Sequence, residues 1–86
     1  MPEISRFFGI IVTMYYNEHS PPHFHVRYGR QKALIDIKNL TLLEGQLKPR
    51  TLGLVVEWAA LHQVELMHNW NLARQQQALD NIDPLE

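Results

Sequence analysis

The sequence predicts an α+β fold, in which an antiparallel sheet of about four strands, connected as a meander, packs one face against one long C-terminal helix. Four segments before residue 46 are rich in β-branched and aromatic residues or alternate polar with apolar, and turn-forming residues separate them. From Pro49 onwards only Gly53 interrupts a long run of helix-forming residues. Because 86 residues with 45% hydrophobic content provide for one core, we expect residues 1–86 to form a single domain.

The four predicted strands span approximately residues 7–16, 23–28, 31–37 and 40–44. Turn formers and the Pro21–Pro22 pair end the first strand, because proline cannot donate a ladder hydrogen bond. Gly29–Arg30 suits a two-residue hairpin turn, and Lys38–Asn39 is a second candidate. The sequence therefore predicts two tight hairpins after the first strand.

The register of these hairpins predicts a core face and a second, mixed face of the sheet. A turn at residues 29–30 pairs apolar residues with each other, including Phe24 with Ile35, and directs Tyr28 towards the core. The same register sets His23 opposite Asp36 on the other face. With the second turn, Ile35 meets Leu42. The second face then combines histidines, cations and an aspartate, as a binding surface would.

The predicted helix spans approximately residues 49–77 and is apolar on two sides. At 100° per residue, one wide stripe faces the sheet and consists of Leu52, Val55, Val56, Ala59, Leu66, Met67, Trp70 and Ala73. The opposite side carries Leu54, Leu61, Val64 and Leu72. We expect this second stripe to bind a small protein partner or a second copy of the chain. Residues 80–86 are predicted to form a frayed acidic tail.

Composition excludes several classes of protein. The net charge of -1 is unlike that of proteins that coat nucleic acids, so nucleic-acid binding is possible but not favoured. The chain has no cysteine, so a transition metal would have to be bound by histidine and carboxylate. The apolar run near the N-terminus is shorter than a bilayer span, and we expect a cytoplasmic protein with no membrane partner.

The histidines near Pro21–Pro22 are the strongest candidates for a site. His23 and His25 lie two residues apart on one strand and project the same way, and with His19 and Asp36 they could bind a divalent metal. No sequence motif fixes that geometry. Ordinary solvated residues on a strand are therefore the commoner interpretation of the same pattern.

Catalysis without a bound metal is a further possibility. His23, with His25 beside it, could act as a general acid or base oriented by Asp36, while Arg27 holds an anionic substrate. Candidate anion-binding residues are Arg27, Arg30 and Lys32, and Lys38 joins them if the ligand is RNA or DNA. Whether the protein is an enzyme stays open from sequence alone.

Several stretches are similar to one protein family. The segment ISRFFGIIVTMYYNEHSPPHFHVRYG, the residues 33–37 (ALIDI), the LEG of residues 43–45 and the helical segment VVEWAALH together resemble the short bacterial proteins grouped as domain of unknown function 4160. The resemblance implies a small cytoplasmic protein encoded beside another short protein, as in toxin-antitoxin pairs. We therefore expect a protein-binding module, with a ribonuclease-like or metal-dependent hydrolase using His19, His23, His25 and Asp36 as the alternative.

Overall fold

A computed structural model describes residues 2–86, which form a five-stranded antiparallel sheet and two helices. The strands are β1 (Glu3–Phe7), β2 (Ile10–Thr13), β3 (His23–Tyr28), β4 (Gln31–Asp36) and β5 (Leu42–Gly45), and the helices are α1 (Pro49–Leu61) and α2 (Gln63–Arg74). Each strand pairs with its neighbour in the chain, in the order β1-β2-β3-β4-β5. The predicted α+β class and the meander are confirmed.

The predicted strand 7–16 is wrong in its limits, because the chain turns back at Phe8 and Gly9. Both residues have positive φ, 50° and 81°, which two-residue hairpin turns of one common type require at both central positions. Glycine adopts this conformation without strain, whereas an aromatic residue such as Phe8 is uncommon there. The aromatic and β-branched run therefore contains a hairpin, and the sheet has five strands instead of four.

The predicted register of the central hairpin is confirmed. His23 pairs with Asp36 and Phe24 with Ile35 along the whole length of β3 and β4. Tyr28, predicted to face the core, is instead 39% exposed because it lies at the open end of the sheet beside the turn.

The connection from β4 to β5 also differs from the predicted two-residue turn. It is longer than Lys38–Asn39 alone: the Leu40 amide donates to the Asp36 carbonyl, and Leu40 itself has a φ of 55°. A residue in the left-handed region after a turn is the usual way to close a slightly longer hairpin. The expected pairing of Ile35 with Leu42 nevertheless holds.

The long predicted helix is broken at His62, whose φ of -126° and ψ of 25° are not helical. In one straight helix Trp58 and Trp70 would point about 120° apart around the axis. Here both are buried against the sheet. The Gln63 side chain, next to the break, donates hydrogen bonds to the carbonyls of Ile37 and Lys38, the two residues that follow β4. The break therefore accompanies the burial of both tryptophan rings, at a point where the sequence has no helix breaker.

The core lies between the helices and one face of the sheet. Its largest fully buried side chains are Trp58, Trp70, Phe24, Ile4, Ile10, Met14, Ile35, Ile37 and Leu66. Of the second apolar stripe, Leu61 and Val64 are 69% and 85% exposed. Leu54 is half-buried against the core, and Leu72 is half-buried too. The stripe is therefore narrower than predicted and centres on the break between α1 and α2.

The C-terminal segment is not frayed, contrary to the prediction. Ile82 is buried, and its amide donates to the carbonyl of Ile4 in β1 at 2.8 Å. Asn69 exchanges two hydrogen bonds of 2.9 Å with the backbone of Asp80. The acidic composition of the segment did not predict these contacts, because the Ile82 side chain, the Asn69 side-chain amide and backbone groups make them. Within residues 2–86, no helix has the length and apolar character needed to cross a membrane.

A candidate metal centre beside a groove

The end of α2 forms a well-defined capping motif. Gln76 has a φ of 60°, its amide donates to the carbonyl of Ala73, and the amide of Gln77 donates to the carbonyl of Leu72. These two bonds satisfy carbonyls that the end of a helix would otherwise leave unpaired, as in a Schellman motif. These hydrogen bonds hold the backbone at the end of α2 in a defined conformation.

The loop that joins β2 to β3, residues 14–22, forms hydrogen bonds with this end of α2. The Tyr16 hydroxyl donates to the Gln77 carbonyl at 3.0 Å, and the Gln76 side-chain amide donates to Asn17 Oδ1 at 2.5 Å. Glu18 follows directly in the chain. Two contacts with the helix end therefore fix the position of the Glu18 backbone before any contact of its own carboxylate.

His23, the first residue of β3, has the tautomer of a metal ligand. Its Nδ1 lies 2.7 Å from the carbonyl oxygen of Pro21, which can only accept, so Nδ1 carries a proton. In the neutral ring the lone pair is then on Nε2. The side chain is 8% exposed, and the Trp70 ring lies 5.2 Å away. No group among the described residues forms a hydrogen bond with the buried Nε2.

The carboxylate of Glu18 meets both histidines of β3. Its Oε1 lies 2.6 Å from His25 Nε2, within hydrogen-bond range, and 3.3 Å from His23 Nε2, where the alignment does not make a hydrogen bond. One ligand atom from each of the three residues can be chosen so that all lie within 4.8 Å of one another. The Tyr15 ring packs edge-on against His25 at 4.5 Å. Two imidazoles and one carboxylate therefore converge, and neighbouring groups orient both rings.

Two predicted members of the site do not belong to this group. Asp36 Oδ1 accepts from the backbone amides of Lys38 and Asn39, at 2.8 and 3.1 Å, and so stabilises the turn after β4. A short carboxylate placed before a turn is commonly used in this way. His19 is exposed and lies outside the group, because the loop continues past it before returning to β3.

Glu18 takes the place of Asp36 and was missed by sequence reasoning. The available signal was its position five residues before His23 and seven before His25. Strand pairing predicts which residues face each other across a sheet, but it cannot predict where a loop side chain returns. The contacts of the loop with Gln76 and Gln77, 59 and 61 residues away in the chain, determine that position.

A groove of about 540 Å³ adjoins the three residues on the sheet face opposite the helices. Its lining includes Glu18 and His25 from the group, and Ile11, Thr13, Tyr15, Arg27, Lys32, Leu34 and Glu44 from the surrounding strands and loop. His23 is not part of the lining, but its ring lies 5.5 Å from that of His25. An ion held by the three side chains would therefore have the groove on its open side.

The predicted anion-binding residues divide between the groove and its surroundings. Arg27 and Lys32 are cross-strand partners and both line the groove, whereas Arg30 lies in the β3–β4 turn outside it. The hydrogen bond from Arg6 lowers the pKa of Glu3, and the charge of Arg27 contributes to that shift. Arg27 thus acts on the neighbouring carboxylate of β1 without pairing with it.

The chain was compared with known proteins. The model of the family described as domain of unknown function (DUF4160) matches residues 9–71 of the 86. Glu18, His23 and His25 all lie within the matched residues. No curated protein and no solved structure matches the chain. Since the match covers well over half of its length and agrees with the resemblance of its motifs, the chain belongs to the DUF4160 family.

Proposed function

We propose that the protein is a metal-dependent hydrolase whose divalent ion is bound by Glu18, His23 and His25. The observation that carries this proposal is the orientation of His23. Its Nδ1–H is held by a backbone carbonyl while its buried Nε2 faces a carboxylate and a second imidazole. A ligating histidine typically donates its other ring nitrogen to a carbonyl or carboxylate in this way.

The spacing of the three ligand atoms suits an ion of the zinc type. Zinc–nitrogen and zinc–oxygen bonds of about 2.1 Å place tetrahedral ligand atoms about 3.4 Å apart. The distance from Glu18 Oε1 to His23 Nε2 is already 3.3 Å. The 2.6 Å contact with His25 is a hydrogen bond, and an ion would replace its proton while the two side chains move apart by less than about 1 Å.

Three protein ligands leave an open coordination position, which distinguishes catalytic zinc sites from structural ones. An ion held by these residues would lower the pKa of a bound water and so supply a nucleophile near neutral pH. In ester hydrolysis the oxygen of that water would bond to the acyl carbon or phosphorus, the bond to the leaving oxygen would break, and the leaving oxygen would take a proton from solvent. The adjoining groove supplies room for a substrate on the open side.

The first test is calorimetric titration of chelator-treated protein with Zn²⁺, repeated with Glu18→Gln and His25→Ala. We expect one ion per chain, and at least about tenfold weaker binding in each variant. His19→Ala is the matched control, because it removes an exposed histidine of the same loop and should not change the affinity. If wild-type protein takes up no ion, or if His19→Ala weakens binding as much as His25→Ala, the proposal is wrong.

Activity is then measured on the loaded protein. Hydrolysis of p-nitrophenyl acetate and p-nitrophenyl phosphate should depend on added metal and should be lost in Glu18→Gln. Circular dichroism of each variant separates loss of the site from loss of the fold. Metal binding with no metal-dependent hydrolysis of either ester would leave a metal site and reject the hydrolase.

Protein binding is a second candidate function, and the exposure of Leu61 and Val64 supports it. These two side chains flank the break between the helices, and a second copy of the chain could cover them with the same two residues around a twofold axis. A small protein partner of a toxin-antitoxin-like pair is the other outcome of the same test. Val64→Lys is the variant that tests this contact, because it places a charge in the exposed apolar patch.

A further inference from the structure

The sheet face beneath the groove carries two rows of side chains that follow directly from the strand register. Thr13, His25, Leu34 and Glu44 are paired across β2 to β5, and Ile11, Arg27 and Lys32 form the next row. Residues two apart on a strand lie about 7 Å apart. The cations of the second row are therefore one row away from the candidate metal ligand His25.

Arg27 and Lys32 are the two cationic residues in the lining of the groove. Within residues 2–86, neither forms an ion pair, and both side chains are exposed to the groove. Being opposite each other on adjacent strands, they would repel. An anion bound between them removes this repulsion, and the arginine can hold a phosphate or carboxylate with two parallel hydrogen bonds.

The charge balance of the groove makes anion binding depend on the metal. Its two cations, Arg27 and Lys32, are matched by two carboxylates, Glu18 and Glu44. A divalent ion on Glu18 changes the formal charge of this surface from neutral to doubly positive. The groove then attracts an anion of charge near -2 at the open position of the ion, which a phosphate ester provides at neutral pH.

The apolar part of the lining indicates the rest of the ligand. Ile11 and Leu34 lie on the floor, and Tyr15 stands beside His25. A volume of about 540 Å³ lies within the usual range for small-molecule sites. Size and lining together fit a small organic phosphate better than a long nucleic-acid strand.

We infer that this groove binds a small phosphate ester, with its phosphate between the Glu18/His23/His25 ion and the Arg27/Lys32 pair. The inference rests on the proposed metal centre and adds the class of substrate. By linkage, the phosphate and the ion must strengthen each other's binding by the same factor.

The test uses Co²⁺-loaded protein, because the visible absorption of bound Co²⁺ reports its coordination, with inorganic phosphate and phenyl phosphate as the probes. We expect both to change the spectrum at saturation and to bind at least about tenfold more weakly to Arg27→Ala and Lys32→Ala, since each loses a charge-assisted contact. Arg30→Ala is the matched control, being an arginine of the adjacent turn outside the groove. It should bind phosphate as the wild type does.

The outcomes separate this inference from the proposed function. If Co²⁺ binds but phosphate does not, or binds Arg27→Ala as well as wild type, the substrate class is wrong and the metal centre stands. If Co²⁺ itself does not bind, both are wrong. A ten-nucleotide RNA titrated in parallel should bind no more tightly than phenyl phosphate. Tighter binding that depends on Arg30 and Lys38 would replace the small ester with a nucleic-acid ligand.

Discussion

Replacing Glu18 by glutamine should remove most of the stabilisation that zinc gives to the folded chain. The three proposed ligands come from a loop and a strand, and the loop is positioned by residues about 60 positions away. An unfolded chain therefore offers no comparable site, and the ion stabilises by mass action. At free zinc of 100 times Kd the gain is about 2.7 kcal/mol. For a domain of this size, that raises Tm by roughly 10–20 °C.

The Glu18→Gln change keeps the shape of the side chain and removes its charge. If the affinity falls about a hundredfold, the same zinc concentration gives only about 0.4 kcal/mol, or roughly 2–3 °C. Without zinc, the loss of a partly exposed Glu18–His25 contact should cost less than about 1 kcal/mol.

Differential scanning fluorimetry, with and without a fixed concentration of free zinc, measures the Tm of each variant and its increase on zinc binding. His19→Ala is the control and should keep the full zinc-dependent increase in Tm. A wild-type protein whose Tm does not respond to zinc would refute the reasoning. A Glu18→Gln variant that responds as strongly as wild type would refute the assignment of Glu18 while leaving other ligands possible.

Three further predictions concern the fold and its surfaces. Gly45→Ala should lower the free energy of unfolding, measured in urea, by about 3 kcal/mol or more, because φ is +86° and a Cβ would lie 2.1 Å from the Lys32 carbonyl oxygen. The matched control is Gly53→Ala, at a helical position with open space around it, which should raise the free energy of unfolding by up to about 1 kcal/mol. Asn69→Ala should cost about 2–3 kcal/mol by the same assay, since two buried hydrogen bonds to Asp80 are lost, and an unchanged stability would show that the C-terminal segment is not held there. Val64→Lys should convert a dimer to a monomer in sedimentation equilibrium with little change in Tm, and a wild type that is monomeric at all concentrations would reject the self-association.

The sequence was sufficient for features that depend on local periodicity. Alternation along residues 23–37 fixed the pairing of β3 with β4 to the residue, because a one-residue slip would have exposed Phe24 and Ile35. The hairpin at Phe8–Gly9 was missed because a single glycine within a β-rich run is a weak signal and an aromatic residue seldom adopts positive φ. The break at His62 was missed because no proline or glycine marks it, and because the contacts of Gln63 with the carbonyls of Ile37 and Lys38 join residues about 25 positions apart in the chain.

The candidate site shows the same division between local and distant causes. His23 and His25 were predicted from their spacing on one strand, whereas the carboxylate was assigned to Asp36 by strand pairing alone. Strand pairing places Asp36 opposite His23 correctly, but its Oδ1 accepts from the backbone amides of Lys38 and Asn39, and its Oδ2 contacts the Asn39 side-chain amide. These contacts hold the Asp36 carboxylate at the turn, outside the group of Glu18, His23 and His25. Glu18 has no such local partner, so its carboxylate reaches the imidazoles.

His23 explains why a ligand role fits the geometry better than a structural one. A histidine that served only to close the loop would need one nitrogen, the Nδ1 that donates to Pro21. Its second nitrogen is buried without a hydrogen bond in the described chain, which costs about 1–3 kcal/mol. A residue with a single donor, or an apolar one, would avoid that cost at this position. An ion on Nε2 would turn the unpaired nitrogen into a ligand and would neutralise the carboxylate of Glu18, so that one binding event would remove both costs.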